Sequence, residues 1–283
     1  MAETLRDRFE REMTIRGYAA STKKNYMNNV ELMVRRLGCH PAKMTRDCVA
    51  EYFASLVREH DVAPSTYRQH VTATALFFRT VLHRNFDILA EARPRKRKKL
   101  PHVLSLKEVH RLLACIKVPR YHVGAVVLYT CGLRISELVG MRAEWITSDS
   151  TRLHVSDAKG GRDRLVPLPP RTLELLREHW RREKLSGPLF FLSPVIPGRP
   201  ITGDAVRRAI RSAGEDAGIT RPVSPHTLRH CYATHLLERG ADIQQIQRLL
   251  GHKSIETTTI YTHLTDSSIE RVTEALKLMT AGL

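Results

Sequence analysis

The amino-acid sequence predicts a mainly α-helical protein with one small antiparallel β-sheet, divided into two domains. Three observations carry this. Apolar residues recur at helical spacing behind capping signals over most of the chain. The period shortens to that of a strand on either side of Gly160-Gly161. A basic run bounded by prolines interrupts the pattern near residue 95. At 283 residues the chain is long for a single core, and its 42% hydrophobic content is enough for two.

Residues 1–92 read as a small helical bundle. Leu5, Phe9 and Met13 recur four apart and predict a first helix. Ser21 is placed to cap a second helix through Leu37, ended by Gly38. Thr45 caps a third through Arg58, and Ser65, after Pro64, a fourth through about His83. Tyr67, Val71, Thr74 and Phe78 mark the apolar side of that last helix. Residues 93–101 hold Arg95, Lys96, Arg97, Lys98 and Lys99 with no apolar periodicity, which marks a basic linker.

Residues 102–283 open on Ser105-Leu-Lys-Glu108, a capping box before Val109, Leu112 and Leu113. A second helix spans Arg120–Thr130 and is closed by Gly132, and Leu133-Arg134-Ile-Ser-Glu137-Leu starts another turn. Thr151–Val155 and Leu165–Leu168 then read as strands flanking a glycine turn from which Lys159 projects. Helices return at about Arg171–Lys184, Gly203–Ala217, His226–Arg239, Ile243–Leu250 and Ile269–Leu278. In the last of these Ile269, Val272, Leu276 and Met279 share one apolar face.

The net charge of +17 points to a polyanionic partner. Both domains carry more basic than acidic residues, and the linker is the most basic stretch. This favours a strap lying along DNA over a mere tether. Lys23 and Lys24, on a polar helix face, are further candidates for phosphate contact. Five cysteines without a CxxC pair fit a reducing compartment and speak against a disulfide framework or a zinc knuckle. No apolar run reaches the length of a membrane span and the N-terminus lacks a signal-peptide core, so a cytoplasmic protein without a membrane partner is expected.

The chemistry concentrates near the C-terminus, where His226-Thr-Leu-Arg229-His230, Leu250-Gly-His252 and Tyr261-Thr-His263 follow one another. A phosphodiester under attack gathers negative charge on its nonbridging oxygens, which guanidinium forks and imidazole donors match well. Tyr261 is the candidate nucleophile, Arg134 and Arg229 the grip on the two oxygens. His226 would assist proton movement at the nucleophile, and His252 would hydrogen-bond the phosphate. Each residue has a plainer reading: a packed tyrosine, a solvated lysine tip, or an Arg134 that caps a helix with Glu137. Glu137 is expected to be a structural partner of a basic residue and His230 a packing residue. His226 and His230, four apart with His235 nearby, could be zinc ligands. A metal is not expected, since no carboxylate lies between them and Arg229 would put a cation beside it.

Gly132-Leu-Arg134-Ile-Ser-Glu-Leu, Lys159 in a hairpin, His226-x-x-Arg229, Leu-Gly-His252 and Tyr261 resemble, in order and spacing, the active-site motifs of the tyrosine recombinases of the phage-integrase and Xer family. The resemblance covers most of residues 100–270. It implies a SAM-like N-terminal bundle and a catalytic domain ending in a C-terminal exchange helix. It further implies action on double-stranded DNA recombination sites by a homo-tetramer joined through that helix, with no cofactor or metal. Arg134, Lys159, His226, Arg229, His252 and Tyr261 become the catalytic set, Lys159 protonating the departing 5′ oxygen. Two other classes fit the same residues: a non-catalytic DNA-binding protein on this fold, and a type IB topoisomerase. The recognition sequence, and whether the chain integrates, transposes, resolves or inverts DNA, stay open.

Overall fold

The computed structural model describes residues 3–58, 60, 62–86, 102–147, 151–156 and 163–251. The chain divides into two compact units, residues 1–99 and 100–283. The basic run 95–99, the hairpin tip with Lys159, and His252, Tyr261 and the helix expected at 269–278 lie outside the described residues.

In the first unit four α-helices form as expected: α1 (Leu5–Ile15), α2 (Ala20–Leu37), α3 (Arg46–Arg58) and α4 (Pro64–Val81). Phe9 and Met13 of α1 are fully buried, and so, nearly, are Val71, Thr74 and Phe78 of α4. A capping box of Thr4 with Asp7 starts α1. Gly38 ends α2 in the left-handed conformation at φ 61°. Thr45 Oγ1 accepts from the Cys48 amide at 3.2 Å, as expected of a cap.

Two caps differ from expectation. Ala19, not Ser21, precedes α2. The Ala19 carbonyl already accepts the Lys23 amide at 2.9 Å, so Ser21 sits inside the first turn. Ala63, not Ser65, precedes α4, because Pro64 has the fixed φ of a first helical residue and holds its predecessor extended. That helix stops at Val81, before His83, whose φ of 52° cannot continue it.

The second unit is helical around one small sheet. The capping box of Ser105 with Glu108 opens α5 (Leu106–Ala114). Next come α6 (Pro119–Thr130) and the short α7 (Ile135–Val139). The sheet is β1 (Ile146–Thr147), β2 (Arg152–Val155) and β3 (Arg164–Pro167), antiparallel in that order, with Leu153 opposite Val166 and Val155 opposite Arg164. Strand β1 has two residues, too few to show a period, and was not expected. Helices α8 (Pro170–Arg182), α9 (Gly203–Asp216), α10 (Pro225–Glu238) and α11 (Ile243–Leu250) complete the described part. The α8 helix ends two residues earlier than expected because Lys184 adopts φ 49°.

Helix α6 is apolar on most of its circumference, as its run Val-Gly-Ala-Val-Val-Leu dictates. It lies at the centre, against α8, α9 and α10. Along β2 and β3 side chains alternate, so Leu153, Val155, Arg164 and Val166 face inward. A charged residue therefore occupies an inward strand position, next to the site described below. Leu128 of α6 is wholly buried in this core, and Leu128→Ala should destabilise the protein by about 2–5 kcal/mol. A urea-denaturation midpoint within error of wild type would show that the core can collapse around the loss.

Candidate active site

The site forms where α6 ends. Gly132 follows that helix at φ 59°, and a Cβ there would lie 2.4 Å from the Tyr232 ring, so only glycine fits. The turn delivers Arg134 as the residue preceding α7, with its side chain 32% exposed. On α10, capped by Ser224, His226 stands in the first turn and Arg229 three residues later on the same side. His226 is exposed at the surface, whereas Arg229 is buried.

Glu137 gathers the arginines. Its carboxylate is buried and accepts from the Arg134 backbone amide at 2.7 Å and from Arg134 Nη1 at 2.8 Å. Arg164 Nη1 and Nη2 donate to its two oxygens at 2.8 and 2.7 Å, and Arg229 Nη1 stands 4.0 Å away. Among the described residues three guanidiniums face this one carboxylate in a water-poor setting, an excess of positive charge that attracts an anion. The capping of α7 and the placement of the Arg134 guanidinium are thus one arrangement.

The same arginines reach the C-terminal end of α11. Arg164 Nε donates to the Leu249 carbonyl at 2.7 Å, Arg229 Nη2 to Leu250 at 2.5 Å, and Arg134 Nη2 to Gly251 at 3.0 Å. Arg229 Nη1 also donates to the Gly132 carbonyl at 2.5 Å. Helix ends leave carbonyls without intrahelical partners and carry partial negative charge, so cations stabilise them.

Among the described residues the imidazoles of His226 and His230 favour the neutral form. Desolvation, then the charges of Arg229, Arg207 and Arg134, lower the His226 pKa, leaving the ring able to accept a proton. Half-buried His230 is pushed down to about 4 by desolvation and by His226 and Arg229. Among the described residues no group of His, Cys, Asp or Glu is arranged to hold a metal. Both His235 nitrogens are engaged, at 2.9 Å to the Tyr129 hydroxyl and 2.9 Å to the Leu104 carbonyl.

Of the six residues singled out in the sequence, the structure brings Arg134, His226 and Arg229 together, while Lys159, His252 and Tyr261 are outside the described residues. Lys23 and Lys24 lie on α2 of the other unit, Lys23 donating to Thr14 Oγ1 at 3.0 Å and Lys24 exposed. Arg164 was missed. Its signal was present in Arg164-Leu-Val-Pro-Leu168, where period-two alternation puts Arg164 on the face of Val166 and Leu168.

Residues 102–268 match the model of the phage integrase family, and residues 5–88 that of the phage integrase N-terminal SAM-like domain. The chain belongs to the phage integrase family, the tyrosine recombinases that cleave and rejoin DNA. It is 36% identical to the y4qK protein of Sinorhizobium fredii over 97% of this chain and 89% of that protein. It is 30% identical to the tyrosine recombinase XerD of Listeria monocytogenes, covering 91% of this chain and 92% of the relative. A lambda integrase tetramer bound to a Holliday junction shares the fold, with TM-score 0.73 at 21% identity over 91% of this chain and 76% of that one.

Glu137 sets a pH dependence. Burial alone would raise its pKa from 4.5, but hydrogen bonds and charge from Arg164, then contacts with Arg134, outweigh this and hold it at about 2. The unfolded chain takes up this proton near pH 4.5 and the folded one only near 2. The stabilisation is therefore complete above 4.5 and lost as pH falls through the folded value. Glu137→Gln should flatten that acid limb and lower stability at neutral pH by about 3–5 kcal/mol, since it leaves buried guanidiniums short of a counter-charge. Thermal melts across the acid range check this; an unchanged acid limb would show that other carboxylates set it.

Proposed function

We propose that this chain is a site-specific recombinase whose nucleophile is Tyr261. The Tyr261 hydroxyl attacks the scissile phosphorus and passes its proton to neutral His226, the bond to the 5′ oxygen breaks, and that oxygen takes a proton from Lys159. The products are a 3′-phosphotyrosyl link and a free 5′ hydroxyl. The link keeps the energy of the broken diester, so a partner strand's 5′ hydroxyl reverses the step without ATP or metal. Arg134 and Arg229 hold the nonbridging oxygens, His226 assists proton movement, and His252 hydrogen-bonds the phosphate. The observation that supports this reading is the gathering of Arg134, Arg164 and Arg229 around Glu137 among the described residues, with His226 on the same face of α10 as Arg229.

The bundle at 1–92 and the catalytic domain at 102–283 then both bind double-stranded DNA. The linker 93–101, through Arg95, Lys96, Arg97, Lys98 and Lys99, and Lys23 and Lys24 meet phosphates. The segment 269–278, expected from its sequence to be a helix, would dock on a neighbouring protomer and join four copies on paired sites in the cytoplasm.

Incubation with supercoiled plasmid and nicked suicide substrates tests the reading. Wild type should give a covalent adduct and recombinant products, and Tyr261→Phe should lose the adduct while keeping its DNA affinity. Relaxed topoisomers without recombinants would make it a topoisomerase, and no adduct at all a non-catalytic binder.

The Lys159 role has its own test. Lys159→Ala should slow cleavage of normal DNA by about 100- to 10,000-fold. A substrate with a 5′-bridging sulfur, whose thiolate leaves without a proton, should be cut at nearly the wild-type rate. Equal defects on both substrates would remove Lys159 from this role.

A further inference from the structure

Arg164 has no part in the chemistry above, yet its whole guanidinium is engaged with the site's frame. Its side chain is 6% exposed, both terminal nitrogens are spent on the two Glu137 oxygens, and Nε is spent on the Leu249 carbonyl. Gly251 packs against its stem, where an added Cβ would lie 3.2 Å from Arg164 Cδ. Three consecutive carbonyls at the end of α11, those of Leu249, Leu250 and Gly251, thus accept from three different arginines, all of which surround one carboxylate.

We propose that Arg164 is a positioning residue for strand cleavage. It holds Glu137 so that Arg134 and Arg229 present their guanidiniums to the scissile phosphate, and it fixes the end of α11, from which the chain runs directly into His252 and on to Tyr261. This deepens the recombinase reading and rests on it. Without Arg164, Glu137 keeps its buried charge and draws Arg134 and Arg229 inward, while the Leu249 carbonyl loses its partner. A displacement of about 1 Å among groups that align a reacting centre slows reaction on the order of a hundredfold.

The test uses the full chain with Arg164→Lys and Arg164→Met. Lysine keeps the charge but cannot span both Glu137 oxygens and the Leu249 carbonyl at once. Arg164→Lys should bind site DNA with wild-type affinity yet form the covalent adduct at least about tenfold more slowly, and Arg164→Met about a hundredfold. If Arg164→Met does not fold, Arg164→Lys carries the test alone. The deciding readout is a methylphosphonate at the scissile position, which removes the charge of one nonbridging oxygen. A positioning role acts through the arginines that meet this charge, so the fold-loss against wild type should shrink on that substrate. A merely structural role lowers the active fraction and gives the same fold-loss on both substrates, which would overturn the proposal, as would wild-type cleavage by Arg164→Lys. Failure of the wild-type chain to form any adduct would sink the recombinase reading itself, and this inference with it.

Discussion

One buried carboxylate organises the second unit's active side. Removing a carboxylate and guanidiniums from water is costly, and such a cluster is rarely the most stabilising way to fill a core. Here it arranges geometry. Glu137 saturates both its oxygens with Arg164 and Arg134 and draws Arg229 to within 4.0 Å, so groups from α7, β3 and α10 are referred to one point. On the recombinase reading proposed above, a phosphate arriving there would meet guanidiniums whose orientation is already set, leaving little reorganisation to the reaction itself.

The rest of the fold reads as support for that point. Helix α6 is apolar enough to be packed on several sides, and it ends at Gly132, where the left-handed turn and the Tyr232 ring leave no room for a side chain. The Gly132 carbonyl holds one arm of Arg229 and the Leu250 carbonyl the other, fixing that guanidinium between two backbone segments. Strand β3 contributes Arg164 because an inward position on a three-stranded sheet faces the same interior.

Much of this was legible in the sequence. Local signals such as the Ser105 and Glu108 box, Gly38 and the spacing of Phe9 and Met13 gave helices close to those seen, because they are settled within one or two turns. Ser21 and Ser65 misled, since a good cap residue is overruled when alanine or proline upstream already fits the helix. For the site, the order of motifs picked out Arg134, His226 and Arg229, which the fold brings together, and Glu137 as a partner of basic residues. Arg164 escaped because its importance lies in what it touches across 27 residues to Glu137 and 85 to Leu249, and a single sequence displays no such contacts.

The burial of Tyr232 and the partial burial of Tyr129 bear on chemical selectivity. A phenol attacks phosphorus well only as it sheds its proton, and desolvation raises the pKa of both these hydroxyls, that of Tyr232 most. Tyr129 also keeps its hydroxyl engaged with His235. Two phenols in the same unit as the guanidinium cluster are thus held toward their protonated, less nucleophilic form. On the recombinase reading proposed above, this packing would disfavour strand capture by either phenol.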